Sequence, residues 1–258
     1  MALTPEGTPY VESSDLVANY PAASLALANR VDLVGVLPFA TSAARGTAIP
    51  SPTDGQYSYL QDSNTTQFWN GSAWQTAGLT PGLNCITPTS IANSGGTASA
   101  SGGAVTLTGV TTISLNGVFT ATYDNYEIIF RVLGSASDNL SIRMRLSGTD
   151  ASGANYDYQT FVASSTTLTG LRATGQTSSQ IGAIRTAAVE HYVHVSSPAL
   201  AANTGIFSNV RDVGGGPNAA ITISSSRHSL DTAYDGFTLI PASGNMTGTL
   251  RVYGYQNS

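Results

Sequence analysis

Two stretches of the chain place apolar side chains at every second position, which is the period of a β-strand with one face in a core. The stretches cover residues 126–133 and 140–147. The repeated positions are Tyr126, Ile128, Phe130 and Val132 in the first and Leu140, Ile142, Met144 and Leu146 in the second. The pattern predicts two strands, joined as a hairpin around residues 134–139.

Similar short runs, separated by turn residues, continue to the C-terminus. Nine further strands are predicted at residues 104–108, 112–115, 158–163, 168–173, 187–196, 204–210, 219–225, 236–240 and 248–255. Closely spaced short strands are typical of a β-sandwich or jelly roll. The predicted fold is therefore mainly β, with an antiparallel, jelly-roll-like C-terminal β-sandwich over residues 104–258.

A smaller β-unit precedes this region. Three short aromatic runs, at residues 56–60, 66–69 and 74–76, are separated by Asp62-Ser63-Asn64 and Asn70-Gly71-Ser72, which are turn sequences. They predict a three-stranded meander. A sheet of this size is marginally stable unless it packs on something else.

A helical pattern is confined to the N-terminal part of the chain, over residues 13–34. Ser14 or Asp15 can cap a first turn, and Pro21 can begin a second helix. A narrow apolar seam follows spacings of three and four, with the members Tyr20, Ser24, Leu27, Val31 and Val34. The seam predicts either a short coiled coil or a helix packed on its own domain. Together with the small meander, it leads us to expect a homotrimer.

Two stretches without periodicity are rich in Gly, Pro, Ser or Ala and predict linkers, at residues 41–52 and 80–103. The predicted organisation has four parts: an N-terminal segment with a short helix (1–40), a linker with the meander (41–79), a second linker (80–103) and the C-terminal sandwich (104–258).

Charge and hydropathy exclude several classes of protein. Only 10% of the residues are charged, the ten basic residues are all Arg, and the net charge is −5. We therefore expect no basic surface for phosphates and no nucleic-acid partner. The longest apolar run, Leu33–Ala40, is too short to span a membrane. The first twenty residues carry no secretory signal pattern, so synthesis in a cytoplasm is expected.

Candidate chemistry is sparse. Glu190, His191 and His194 lie in one predicted strand, where alternation sends the two histidine rings to opposite faces, so we expect neither a metal site nor a catalytic site there. The run Gly214–Gly216 precedes a strand and predicts a hairpin loop rather than a phosphate site. The single cysteine, Cys85, is expected to be buried between apolar neighbours. No cofactor is predicted.

Tyr156, Asp157 and Tyr158 form the best candidate for a binding site. They follow a Gly- and Asp-containing turn and stand at the beginning of a predicted strand. A tyrosine ring can stack on a sugar while neighbouring polar groups bind its hydroxyls. The alternative is that both tyrosines pack in the core.

Three parts of the chain carry a family resemblance: Thr8–Val17, Tyr20-Pro21 and Leu25–Asp32 near the N-terminus, Thr53–Asp62 with Phe68–Trp74 in the small β-unit, and Gly236–Tyr255 near the C-terminus. They resemble the attachment segment, a small β-module between fibre segments and the closing hairpin of a C-terminal β-domain in virion appendage proteins, the tail fibres and minor tail proteins of the type found in phages that infect actinobacteria. The resemblance implies a homotrimeric virion protein that binds other virion proteins through its N-terminal segment and presents a β-rich head.

The resemblance therefore implies a short trimeric tail fibre or minor tail protein that is located in the virion and attaches to the host surface, where a glycan is the expected receptor. The alternative is a capsid decoration or head-fibre protein. A polysaccharide depolymerase is a third interpretation, but it requires paired carboxylates in a cleft, which the scattered acidic residues do not suggest. The expected function is therefore not enzymatic.

Overall fold

The computed structural model describes residues 2–3, 9–10, 21–22, 24–28, 35–77, 82–212 and 220–256. The chain divides into two compact units, residues 1–79 and residues 80–258. The C-terminal unit is built mainly from β-strands, as the sequence predicts, and the described part of the N-terminal unit contains both strands and helices.

The first strands of the N-terminal unit, β1 (Ala2–Leu3) and β2 (Pro9–Tyr10), pair antiparallel. Residues 21–22 and 24–28 are helical, within the predicted helical stretch. Leu27 lies on this helical segment and is exposed. The other three apolar members of the predicted trimer seam, Tyr20, Val31 and Val34, lie outside the described residues.

The predicted meander is confirmed. It consists of β4 (Tyr57–Leu60), β5 (Thr65–Trp69) and β6 (Trp74–Thr76), which pair antiparallel in sequence. A fourth strand, β3 (Val36–Phe39), joins it in parallel beside β4. The predicted meander is thus one part of a four-stranded sheet.

The prediction of a linker at residues 41–52 is wrong, because Ser42–Ala48 forms a helix between the parallel strands β3 and β4. The hydroxyl of Thr41 caps it by accepting from the Ala44 amide at 3.1 Å. Arg45 fixes the helix to the sheet: its guanidinium donates to Gln67 and lies 4.2 Å from the ring centre of Trp74.

The C-terminal unit is an antiparallel β-sandwich, as predicted. Its long sheet has ten strands in the order β16-β15-β20-β19-β18-β12-β22-β10-β9, with β7 also beside β22. Its short sheet has the order β14-β13-β21-β11-β8, with β17 also beside β13. The strands are β7 (Leu83–Ile86), β8 (Ser90–Ser94), β9 (Thr97–Ser101), β10 (Ala104–Val110), β11 (Thr112–Asn116), β12 (Asn125–Gly134), β13 (Asp138–Leu146), β14 (Thr149–Asp150), β15 (Tyr156–Ser164), β16 (Thr167–Gln176), β17 (Ser179–Ile184), β18 (Val189–Ser196), β19 (Thr204–Asp212), β20 (Ala220–His228), β21 (Gly236–Pro241) and β22 (Met246–Tyr255).

All eleven strands predicted in this unit are present, but the predicted hairpin between the first two alternating stretches is wrong. β12 pairs with β18 and β22 in the long sheet, whereas β13 pairs with β21 in the short sheet. The residues between them cross from one sheet to the other. Each strand has one apolar face, and placing the strands in facing sheets buries both faces in a common core.

The predicted linker at residues 80–103 is also wrong, because it contains β7, β8 and β9 and belongs to the C-terminal unit. Gly95 and Gly96, both with positive φ, form the turn by which the chain leaves the short sheet at β8 and enters the long sheet at β9. Cys85 lies on β7 and is exposed, contrary to the expectation that it is buried. Edge strands rich in small polar residues resemble linkers in composition.

The core lies between the two sheets and contains the predicted alternating positions. Tyr126, Ile128, Phe130 and Val132 from the long sheet face Leu140, Ile142 and Met144 from the short sheet, all with at most 2% exposure. Leu146, the last predicted position of its strand, is exposed at the end of β13. The outer face of the long sheet remains open to solvent and carries the candidate site.

Candidate functional site

An open groove of about 580 Å³ lies on the outer face of the long sheet, across β16, β15, β20 and β19. We call it the outer groove. Side chains from all four strands line it, mainly Asp157, Gln159, Phe161, Arg172, Phe207, Ile223, Ser225 and Arg227. Because these strands are adjacent and in register, residues far apart in sequence form one continuous surface.

The floor of the groove is apolar. Phe161 on β15 stands directly opposite Ile223 on β20, and Phe207 on β19 stands opposite Ser225, the next outward position of β20. Both phenylalanines are 46% exposed. Large apolar side chains that remain this exposed in a cluster mark an interaction surface more often than isolated ones do.

A charged pair lies beside this floor. The Nε and Nη2 atoms of Arg227 each lie 3.1 Å from Oδ2 of Asp157, and the amide of Gly175 donates to Oδ1 at 3.0 Å. The hydrogen bond from the Gly175 amide, followed by the Arg227 guanidinium, holds the pKa of Asp157 below its ordinary value. The carboxylate is therefore ionised at neutral pH, with both oxygens engaged.

Arg172 completes the groove and differs from Arg227 in one respect. It projects from β16 opposite Gln159 and is exposed. Its guanidinium has no hydrogen bond or ion pair with any residue that the structure describes. It thus leaves five N–H donors available beside an apolar floor.

The structure separates the three residues predicted to bind a receptor or glycan. Asp157 and Tyr158 line the outer groove. Tyr156 is fully buried, and its hydroxyl donates to the Ala151 carbonyl and accepts from the Met144 amide, both at 2.9 Å. The prediction is therefore wrong for Tyr156, which begins β15 on the inward face and packs in the interior.

Four residues of the groove were not predicted from the sequence: Phe161, Phe207, Arg172 and Arg227. The missed signal is an inverted alternation along β20, where Ile221 and Ile223 point outward and hydroxyl residues point inward. Alternation normally places the apolar positions inside. Several consecutive strands with hydroxyls on the inward face would have indicated an apolar outer surface.

A layer of hydroxyl groups lies behind the groove, where β17 covers β15 and β20. The Ser224 hydroxyl accepts from Thr160 at 3.0 Å and donates to the Gln180 carbonyl at 2.8 Å. The Ser179 hydroxyl donates to that of Ser226. We call this the hydroxyl layer, because its hydrogen bonds replace apolar packing at this end of the sandwich.

A second, smaller groove of about 170 Å³ lies on the same outer face, over β18, β12 and β22. Its lining includes Tyr192, Ile129, the Arg131–Glu190 pair with 3.8 Å between Nε and Oε1, and Arg251. Among the described residues, Arg251, like Arg172, has neither an ion pair nor a hydrogen bond through its guanidinium.

The two histidines of β18 lie on opposite faces, as strand alternation predicts. His191 is fully buried and stacks on Phe130, with the ring centres 4.3 Å apart. His194 lies on the outer face, where Nδ1 is 3.5 Å from Oε2 of Glu127. Within the described residues, no cluster of three or more His, Cys, Asp or Glu side chains could hold a metal ion.

Comparison with known proteins adds no assignment. No model of a protein family matches the chain, and a search of curated proteins finds no match. Among the helices in the described part of the chain, none is long and apolar enough to cross a membrane.

Proposed function

We propose that this chain is a phage virion protein, a short trimeric tail fibre or minor tail protein, and that its C-terminal sandwich attaches to a glycan of the host surface through the outer groove. The virion part of the proposal rests on the sequence resemblance of the N-terminal segment, the small β-module and the closing hairpin. The attachment part rests on the groove.

The observation that carries the proposal is the combination of an aromatic floor and fixed polar groups in one open groove. Phe161 and Phe207 offer ring faces and edges to the apolar side of a sugar ring. Gln159, Ser225 and the Asp157–Arg227 pair lie beside them and can bind hydroxyls. Sugar sites need this pairing because each pyranose has both apolar and hydroxyl-bearing surfaces.

Binding fits this groove better than cleavage. Glycoside hydrolysis generally uses two carboxyl groups that flank the scissile bond. Asp157 is the only carboxylate among the side chains that line the outer groove, and its oxygens are engaged by Arg227 and Gly175. We therefore propose an adhesive role without covalent chemistry.

In this proposal the N-terminal segment attaches the protein to the particle and the C-terminal unit faces outward. The exposed Leu25 and Leu27 on the helical residues 24–28 offer an apolar surface for another virion protein or for copies of this chain. The division into two compact units allows attachment and host binding to evolve on separate parts of the chain.

Host attachment can be tested with the full-length double variant Phe161→Ser, Phe207→Ser. We expect its binding to host cells to fall at least tenfold, with the melting temperature preserved because both side chains are solvent-exposed. Leu146→Ser, which removes an equally exposed apolar side chain from the short sheet, serves as the matched control and should bind normally. Equal binding by both variants would contradict the role of the groove.

The position in the virion can be tested separately by immunogold labelling of intact particles with antibody against residues 80–258. Label at the tail end supports the tail-fibre proposal. Label over the head would replace it with a capsid decoration or head-fibre protein, and particles without label would contradict a virion role altogether.

A further inference from the structure

The two grooves lie along one line across the long sheet. Strand register places one outward side chain from each of six adjacent strands in a row: Phe161, Ile223, Asn209, Tyr192, Ile129 and Arg251. Adjacent strands lie ~4.8 Å apart, so this row extends roughly 24 Å. The outer groove occupies one end of the row and the smaller groove the other.

Both grooves have the same set of chemical groups. Each holds one carboxylate paired with one arginine, Asp157 with Arg227 and Glu190 with Arg131. Each also holds one arginine whose guanidinium makes no ion pair or hydrogen bond with a described residue, Arg172 or Arg251, although the positive charge of Arg172 still helps to lower the pKa of Asp157. Each places an exposed aromatic side chain next to these charges, and the row therefore repeats one binding pattern twice.

The outer face is also positive in an acidic protein. Among the side chains that the structure describes, this face carries five arginines and three acidic residues, while the whole chain has ten arginines, fifteen acidic residues and a net charge of −5. The arginines are Arg131, Arg172, Arg211, Arg227 and Arg251, and the acidic residues are Asp157, Glu127 and Glu190. This local excess was not apparent from the net charge, because the strands that carry it are distant in sequence.

We propose that the outer face of the long sheet is a continuous track for an acidic polysaccharide, whose carboxylate groups pair with Arg172 at one end and Arg251 at the other. The planar guanidinium can bind a carboxylate through two parallel hydrogen bonds. Sugar rings between the two ends would lie against the apolar and aromatic side chains of the row. This inference rests on the proposed glycan-binding function and specifies its ligand.

The paired carboxylates favour an acidic sugar polymer over a nucleic acid. A phosphodiester chain has few hydroxyl groups, so its phosphates would meet Asp157 and Glu190 beside Arg172 and Arg251 with little to offer these carboxylates. In an acidic polysaccharide, each sugar also carries hydroxyl groups, which can donate hydrogen bonds to the same carboxylates. Hydroxyl groups beside every carboxylate therefore match the arrangement of groups along the track.

The test uses full-length protein and measures binding to alginate, a carboxylated polysaccharide, by calorimetry. We expect alginate to bind at least tenfold more tightly than neutral dextran, and binding to weaken as sodium chloride rises from 50 to 500 mM. Arg172→Gln and Arg251→Gln should each weaken binding several-fold, and the double variant should lose most of the preference for alginate. Arg143→Gln, which changes a half-buried arginine of the short sheet that donates to the Thr177 carbonyl, is the control and should leave binding unchanged.

Three outcomes would overturn the inference: equal affinity for alginate and dextran, no loss of affinity in the double variant, or tighter binding of polyphosphate or single-stranded DNA than of alginate. A change of oligomer mass in the arginine variants, measured by light scattering, would instead show that this face contacts another copy of the chain, and would also overturn the inference.

Host-cell binding that persists without a preference for acidic polymers would refute the track alone and leave the proposed function standing. Alginate binding without attachment to host cells would refute the proposed function and leave the track standing.

Discussion

The two ends of the C-terminal sandwich are filled with different kinds of side chain. Where β11, β13 and β21 face β10, β12 and β22, the interior is apolar and includes the fully buried Ile113, Phe237 and Leu239. Where β17 faces β15, β19 and β20, the interior instead contains hydroxyl residues such as Thr160, Ser208 and Ser224. We refer to these as the apolar end and the hydroxyl end.

The difference separates the main source of stability from the candidate binding surface. Burial of apolar area stabilises the fold by about 25 cal/mol per Å², whereas a hydrogen bond contributes only about 1 kcal/mol net because it replaces bonds to water. The apolar end therefore supplies most of the stability. At the hydroxyl end, the apolar side chains of β15, β19 and β20 that point outward, such as Phe161 and Phe207, remain available for a ligand.

The largest expected effect is at the apolar end. Phe237 is fully buried and its ring packs against Phe119, with 5.8 Å between ring centres. We expect Phe237→Ala to lower the free energy of unfolding by about 3–5 kcal/mol, because it removes buried area and leaves a cavity. Urea unfolding followed by circular dichroism measures this. A loss below 1 kcal/mol would show that the apolar end does not dominate stability.

A smaller loss is expected from the hydroxyl layer. Ser224→Ala leaves the Thr160 hydroxyl and the Gln180 carbonyl without their partner, which costs about 1–3 kcal/mol. Adding Thr160→Val should recover part of this loss, because the unpaired hydroxyl is then removed as well. The double variant should lose less unfolding free energy than the two single variants lose in total. A larger loss would contradict a role of paired hydroxyl groups in the hydroxyl layer.

Stability should also fall on mild acidification. Burial lowers the pKa of His191 to about 3, from 6.5 in the unfolded chain. The His191 ring stacks on Phe130, and its Nε2 lies 3.1 Å from the Ala183 carbonyl oxygen. The positive charge of Arg185 also disfavours the protonated ring. The unfolded state therefore binds the proton first, and the free energy of unfolding decreases as the pH falls below 6.5.

At pH 5 this loss from His191 amounts to about 2 kcal/mol. Urea unfolding at pH 7.5 and pH 5.0 tests it, since protonation of ordinary carboxylates contributes little in this range. His191→Gln should flatten the pH dependence, and His194→Gln, which changes the half-buried histidine of the outer face, should preserve it. An unchanged slope in His191→Gln would assign the effect to another group, such as the buried His228, whose pKa burial also lowers.

The smallest effect is expected from removing the N-terminal unit. Residues 80–258 form a compact unit that contains both ends of the sandwich. We expect a fragment of these residues to melt within a few degrees of the same transition in the full chain, as measured by calorimetry. A fragment that fails to melt cooperatively would show that residues 1–79 contribute to the stability of the sandwich.

The sequence by itself predicted the β class and the positions of the eleven main strands, because alternation and turn residues are local signals. It also predicted the opposite faces of His191 and His194, since alternation within one strand needs no neighbour. It failed where composition is ambiguous: β7, β8 and β9 are short and polar, and the Ser42–Ala48 helix is too short to show a period.

Only the tertiary structure decided which strands pair and which face of each is buried. Strand pairing depends on contacts between residues distant in sequence, so β12 and β13 could be assigned to one hairpin although they lie in facing sheets. Which face of a strand is buried likewise depends on what covers it. Strand β17 places the Ser179 hydroxyl and the Gln180 carbonyl against hydroxyl groups of β20, and the apolar faces of β15 and β20 turn outward. The candidate site arises from that covering, because it brings Phe161, Phe207 and Arg172 together on one exposed surface.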